Sequence, residues 1–154
     1  MKSKQKALIL LTLGAATLLI LGNLNQITSA TKAPASTLVP LSECSLESGR
    51  CTASLNDQEI VLSVDSSPAS LKPLVFELDT HGLGEIKSAS LNLKGKEMYM
   101  GINQTPFSGS NNQWTATTEL AVCTTGKMVW QAEVVMLRDS DSAPITAIFE
   151  FEAK

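Results

Sequence analysis

The chain has 154 residues, and its charges are unevenly placed. The first 30 residues hold three Lys and no acid, so all 15 Asp+Glu face only 9 Lys+Arg in the remainder. That balance argues against nucleic-acid binding, whose footprint is a basic patch. A single histidine, His81, excludes His-rich metal sites and leaves one imidazole for any catalytic triad.

Lys2, Lys4 and Lys6 precede the uncharged apolar run 7–22 (ALILLTLGAATLLILG), the pattern of an export signal. As a helix the run spans about 24 Å, short of a ~30 Å hydrocarbon core. Extension through Leu24 and Ile27 makes it long enough to stay as a transmembrane anchor. Ser29-Ala30 and Ala33-Pro34-Ala35 offer small residues for cleavage instead. Residues 1–27 therefore read as a signal-anchor or a cleaved signal peptide. Either way the Lys cluster stays cytoplasmic, and the chain beyond it crosses the inner membrane into the periplasm. Residues 28–42 (TSATKAPASTLVPLS) read as a flexible linker, kept out of any helix by Pro34 and Pro40.

Residues 43–154 form the exported domain, long enough for one core. Apolar residues recur with a period of two at Ile60–Val64, Leu74–Leu78, Ala89–Leu93, Trp114–Val122, Met128–Met136 and Ile145–Phe151. Half-buried strands have this period. Turn signals at Asn56-Asp57, Ser66–Pro68, His81-Gly82, Lys94-Gly95, Ser108–Asn112, Thr124–Lys127 and Asp139–Pro144 separate them. Their spacing suggests antiparallel connections. The reading is an all-β domain, an immunoglobulin-like β-sandwich of 7–8 antiparallel strands, preceded by one N-terminal transmembrane or signal helix.

The remaining chemistry lies in sulfur. Three Cys in an exported domain leave at least one outside an internal pair. Cys44 and Cys51, seven positions apart, can close a small loop, and an oxidising compartment favours that bond. The competing arrangement joins Cys44 or Cys51 to Cys123. Met98-Tyr99-Met100 read as a strand puts two thioethers on one face, some 7 Å apart. Cys123 and Met128 stand at the two ends of a short turn. Thioether and thiolate are soft donors that select Cu(I), so Met98, Met100, Cys123 and Met128 are the candidate metal ligands. Against this, methionine also packs irregular cores, and Met128 shares a face with Trp130.

Other constellations carry less. His81 sits in a polar turn, Asp139 and Asp141 in a solvated one, and Asn103-Gln104-Thr105 is a glycosylation sequon. The chain contains no G-x-S-x-G elbow and no C-x-x-C pair, so it reads as non-enzymatic.

With its N-terminal anchor, small exported sandwich, Met98-Tyr99-Met100-Gly101 segment, Trp114 and Trp130-Gln131-Ala132, the chain resembles the FixH/YtkA-like proteins over roughly residues 55–152. These are small anchored or exported immunoglobulin-like domains of bacteria. The resemblance implies a role in copper handling or respiratory oxidase assembly, with a copper-delivery or oxidase-assembly protein as partner. The alternative expectation is a structural or interaction module of the cell envelope that binds no metal.

Overall fold

A computed structural model describes residues 35–40, 44–122 and 126–154. The N-terminal segment 1–27 and Cys123 thus lie outside the described residues. Among those described, no helix is long and apolar enough to cross a membrane.

The domain is all-β. Its strands are β1 (Ser36–Pro40), β2 (Arg50–Leu55), β3 (Gln58–Val64), β4 (Pro73–Asp79), β5 (Ile86–Gly95), β6 (Gln104–Pro106), β7 (Ser108–Ser110), β8 (Gln113–Glu119), β9 (Met128–Arg138) and β10 (Ile145–Ala153). Short 3₁₀ turns occupy Leu46–Ser48 and His81–Leu83. The strands hydrogen-bond in the order β6-β5-β9-β10-β1-β2-β3-β4-β8-β7, a sheet that curls nearly into a barrel.

Two segments change partner midway and so stitch the curl. Ser36–Leu38 of β1 pair in parallel with β10, and its last two residues then pair antiparallel with β2. On the other side, β6 pairs with β5 and β7 with β8, with buried Phe107 between them. The Phe107 N–H donates to Ala89 O at 3.0 Å.

The period-two pattern drives this arrangement because alternate side chains leave water together. Ile60, Leu62 and Val64 of β3, Leu74, Phe76 and Leu78 of β4, and alternate residues of β9 and β10 all face one core. Its largest members are Trp130, Phe76 and Phe149, each stabilising the fold by roughly 1.5–3 kcal/mol through burial. In β5 the alternation slips between Ile86 and Ala89, where a bulge between Ile86 and Ser88 adds one residue.

Among the described residues, ten strands stand where 7–8 antiparallel ones were expected, and one strand pair, β1 with β10, is parallel. Beyond the alternating segments, the additions are β1, β2, β6 and β7, while the expected Met98–Met100 strand is not one. The first lies inside the stretch read as linker: Leu38 is buried there, but its Ser, Thr and Pro neighbours hide the pattern. β6 and β7 have three residues each, too few to show a period, and β7 falls in the Ser108–Asn112 stretch read as a turn. The turn itself is Asn111-Asn112, both in the left-handed region as a two-residue hairpin loop requires.

The chain enters β1 at Ser36, in register with Ile145 and, one strand further, Met136. Ala153 and Met128 pair at the other end of the same sheet, beyond the Gly95–Trp130 pair. The methionine segment between β5 and β6 belongs to this far end.

Candidate functional site: a methionine cluster around Gly95

β6 covers only Ser90–Asn92 of β5, and β7 covers only Gln113–Thr115 of β8. Beyond those pairings the two halves part at the far end. Asn103 bridges the gap: its Nδ2 donates to Glu119 O at 2.7 Å, and its Oδ1 accepts from Thr118 Oγ1 at 3.0 Å. The sequon asparagine is thus a latch whose amide is already engaged. Next to it opens a cleft of about 580 Å³, lined by residues 92–104.

Met98 and Met100 line that cleft, but not from a strand. The segment 96–103 is the connection between β5 and β6, which corrects the expected same-face pair. Strand alternation stops after Leu93, and Gly101, at φ 85°, turns the chain back toward β6. Gly95 gathers the methionines instead. A Cβ there would collide with Met128 Cε and Met98 O and would lie 2.8 Å from Met100 Cγ. The missing side chain is therefore the space that the side chains of Met100 and Met128 occupy together. Met98 also lines a smaller hollow of about 290 Å³ with Met128, Glu97, Lys127, Val129 and Glu152. The three methionines thus grade outward: Met128 is buried, Met100 half-buried and Met98 40% exposed.

Trp130 lies beneath. It pairs with Gly95 across β5–β9 and is fully buried, and its Nε1, like that of Trp114, has no hydrogen-bond partner among the described residues. An unpaired buried donor costs about 1–3 kcal/mol.

Among the described residues, three ion pairs lie at this end. Lys94 Nζ lies 2.6 Å from Glu133, Lys96 Nζ 2.7 Å from Glu150, and Lys127 Nζ 3.4 Å from Glu152. Glu97 Oε2 accepts the Val129 N–H at 3.1 Å, and Glu47 Oε1 accepts the Glu152 N–H at 2.8 Å. Lys96 and Gln131 hold the Glu150 carboxyl below its ordinary range despite some burial. For Glu133, burial is the largest effect and pushes upward, yet Lys94 and Asn92 together bring it below the usual value.

The rim is apolar and exposed: Tyr99, Ile102 and Leu71 stand in solvent. Leu71 does so at φ 57°, a left-handed conformation that is uncommon for a leucine. It shares a depression with Met100 and Ile102.

Cys44 and Cys51 form a disulfide, with Cα atoms 5.2 Å apart, so neither supplies a thiolate. The Thr52 N–H donates to Cys44 Sγ at 3.1 Å, fixing the loop against β2. His81, at the opposite end, pairs its Nδ1 with Asp79 Oδ1 at 2.6 Å. Asp141 accepts from Arg138 Nε at 2.7 Å, and Asp139 faces Lys87 at 3.9 Å, so the Asp139–Asp141 turn is tied to bases. Among the described residues, no three His, Cys, Asp or Glu gather as metal ligands.

Sequence reasoning passed over Glu97, and it met Asn103 only as a sequon and Trp130 only beside Met128 and in the resemblance. Gly95 was visible only as part of a turn signal, and the proximity of Trp130 to Met100 needs the β5–β9 register. Comparison with protein-family models, curated proteins and solved structures finds no match.

Proposed function

We propose that the chain is a non-enzymatic, membrane-anchored periplasmic accessory protein of immunoglobulin-like sandwich type that carries Cu(I) at its methionine end. The observation that carries this reading is the meeting of Met100 and Met128 over Gly95, with Met98 beside them at an open cleft. Neutral thioethers bind soft Cu(I) in preference to hard ions. The graded exposure suits a cargo ion: a partially accessible thioether set can exchange its ion with a stronger thiolate or imidazole site on a delivery or oxidase-assembly partner. The FixH/YtkA-like resemblance points the same way. Cys123 remains a candidate fourth donor.

Titration with Cu(I) against a competing chelator tests the proposal. The wild-type chain is expected to take up one ion, and Met98→Leu/Met100→Leu to lose at least tenfold in affinity, about 1.4 kcal/mol. Equal retention by the double variant overturns it.

A second reading, an envelope interaction module without metal, draws on the exposed Tyr99, Ile102, Leu71 and Val122. Failure of the chain to take up any Cu(I) would favour it.

A further inference from the structure

The connection between β5 and β6, residues 96–103, is tied down at both ends. At its start the Lys96 N–H donates to Val129 O at 2.9 Å, and Glu97 Oε2 accepts the Val129 N–H at 3.1 Å. At its end Asn103 O accepts the Leu93 N–H at 2.9 Å, and the Asn103 side chain holds Glu119 and Thr118. In between, Met98, Tyr99 and Ile102 are exposed. Of the apolar side chains in this connection, Met100 alone packs against the core. Its Cγ and Met128 Cε fill the space over Gly95. One thioether thus pins the middle of the loop.

That pin is open to chemistry. A methionine sulfoxide is polar where the thioether is apolar, and it disrupts the packing of its parent. Met100 lines the cleft of about 580 Å³ and the depression it shares with Leu71 and Ile102, so a small neutral oxidant reaches it from solvent. Met98 beside it is more exposed, whereas Met128 is 7% and Met136 0% exposed. The Cys44–Cys51 disulfide is the kind of bond that persists in oxidising surroundings.

We propose that Met100 is an oxidation-sensitive pin, and that its conversion to the sulfoxide by a peroxide releases the middle of the 96–103 loop from the core. The sulfur lone pair attacks one peroxide oxygen, the O–O bond breaks, and the other oxygen leaves as water with both protons. Sulfur gives up two electrons and gains one oxygen, and the peroxide is reduced. An S=O placed beside Met128 Cε would bury an acceptor against a methyl group, which costs free energy unless it is hydrogen-bonded. The inference stands apart from the Cu(I) reading and needs no metal.

The test treats the metal-free full chain with hydrogen peroxide and maps each methionine by mass spectrometry, with fragment spectra separating residues 98 and 100. Met98 is expected to oxidise first and Met100 next, with Met136 at least about tenfold slower than Met100. As the Met100 sulfoxide accumulates, trypsin cleavage after Lys96 should quicken roughly tenfold, while amide exchange in β10 stays slow. Met100→Gln, polar from the outset, should be cut at the quicker rate without oxidant. Met100→Leu should keep the slow rate after the same treatment, and Met98→Leu should respond like the wild type. Should Met100→Gln not fold, the wild-type time course and Met100→Leu decide. Quickened cleavage in peroxide-treated Met100→Leu overturns the inference. So does a Met100 sulfoxide with unchanged cleavage, or a Met100 that oxidises no faster than Met136.

Discussion

A glycine decides the shape of the methionine end. In a strand, Gly sacrifices packing and conformational entropy, yet at position 95 any larger residue would drive into Met128, Met98 O and Met100. Gly95→Ala is therefore expected to lower stability by about 1–3 kcal/mol, as overpacking does, with a drop in urea midpoint at unchanged m-value. An unchanged midpoint would mean that the methionines move aside freely. The methionines themselves were legible as a motif, but for a mistaken reason. The i, i+2 argument needs a strand, and the chain leaves β5 before Met98. What gathers them is a side chain that is absent, which no spacing rule registers.

At the scale of elements, long strands announced themselves. β3, β4, β9 and β10 bury every second residue and were readable from alternation alone. β1, β6 and β7 were not, because a segment that changes partner has too few residues in either pairing to show a period, and β2, with small and polar residues beside Cys51, was not either. Phe107 holds such a crossing between β6 and β7, buried with its N–H on Ala89 O. Phe107→Ala should cost about 3–5 kcal/mol. Hydrogen exchange should then quicken first in β6 and β7, before β9 and β10. Uniform acceleration across all strands would show instead that this crossing opens only with the whole fold. The Cys44–Cys51 bond was one of three pairings left open on the sequence. Spacing allowed it, and the closeness of the Cα atoms realises it.

For the whole molecule, acid is the condition that its charges make most telling. The carboxyl of Asp79 is lowered from 3.8, chiefly by the backbone N–H of His81, and that of Asp141 mainly by the Arg138 guanidinium. Glu150 is lowered from 4.5 chiefly by Lys96, and Glu133 also ends below 4.5. Each binds protons more weakly folded than unfolded, so its contribution is complete above the ordinary value and is lost as pH falls through the depressed one. The urea midpoint should hold steady from neutrality toward pH 4.5 and decline below it, with Asp79→Asn and Glu133→Gln giving a shallower decline. A midpoint that stays level in the wild type well below pH 3.8 would show that these contacts contribute little. The all-β character was legible because alternation is a local signal, whereas the curl and the site depend on register between distant strands. That register has one mechanical result. Because β1 and β10 run parallel, with Ser36 at one end and Ala153 at the other, tension on the two termini slides the strands along each other. Their backbone bonds then bear load side by side instead of parting one at a time, and single-molecule pulling should meet its main resistance at this pair.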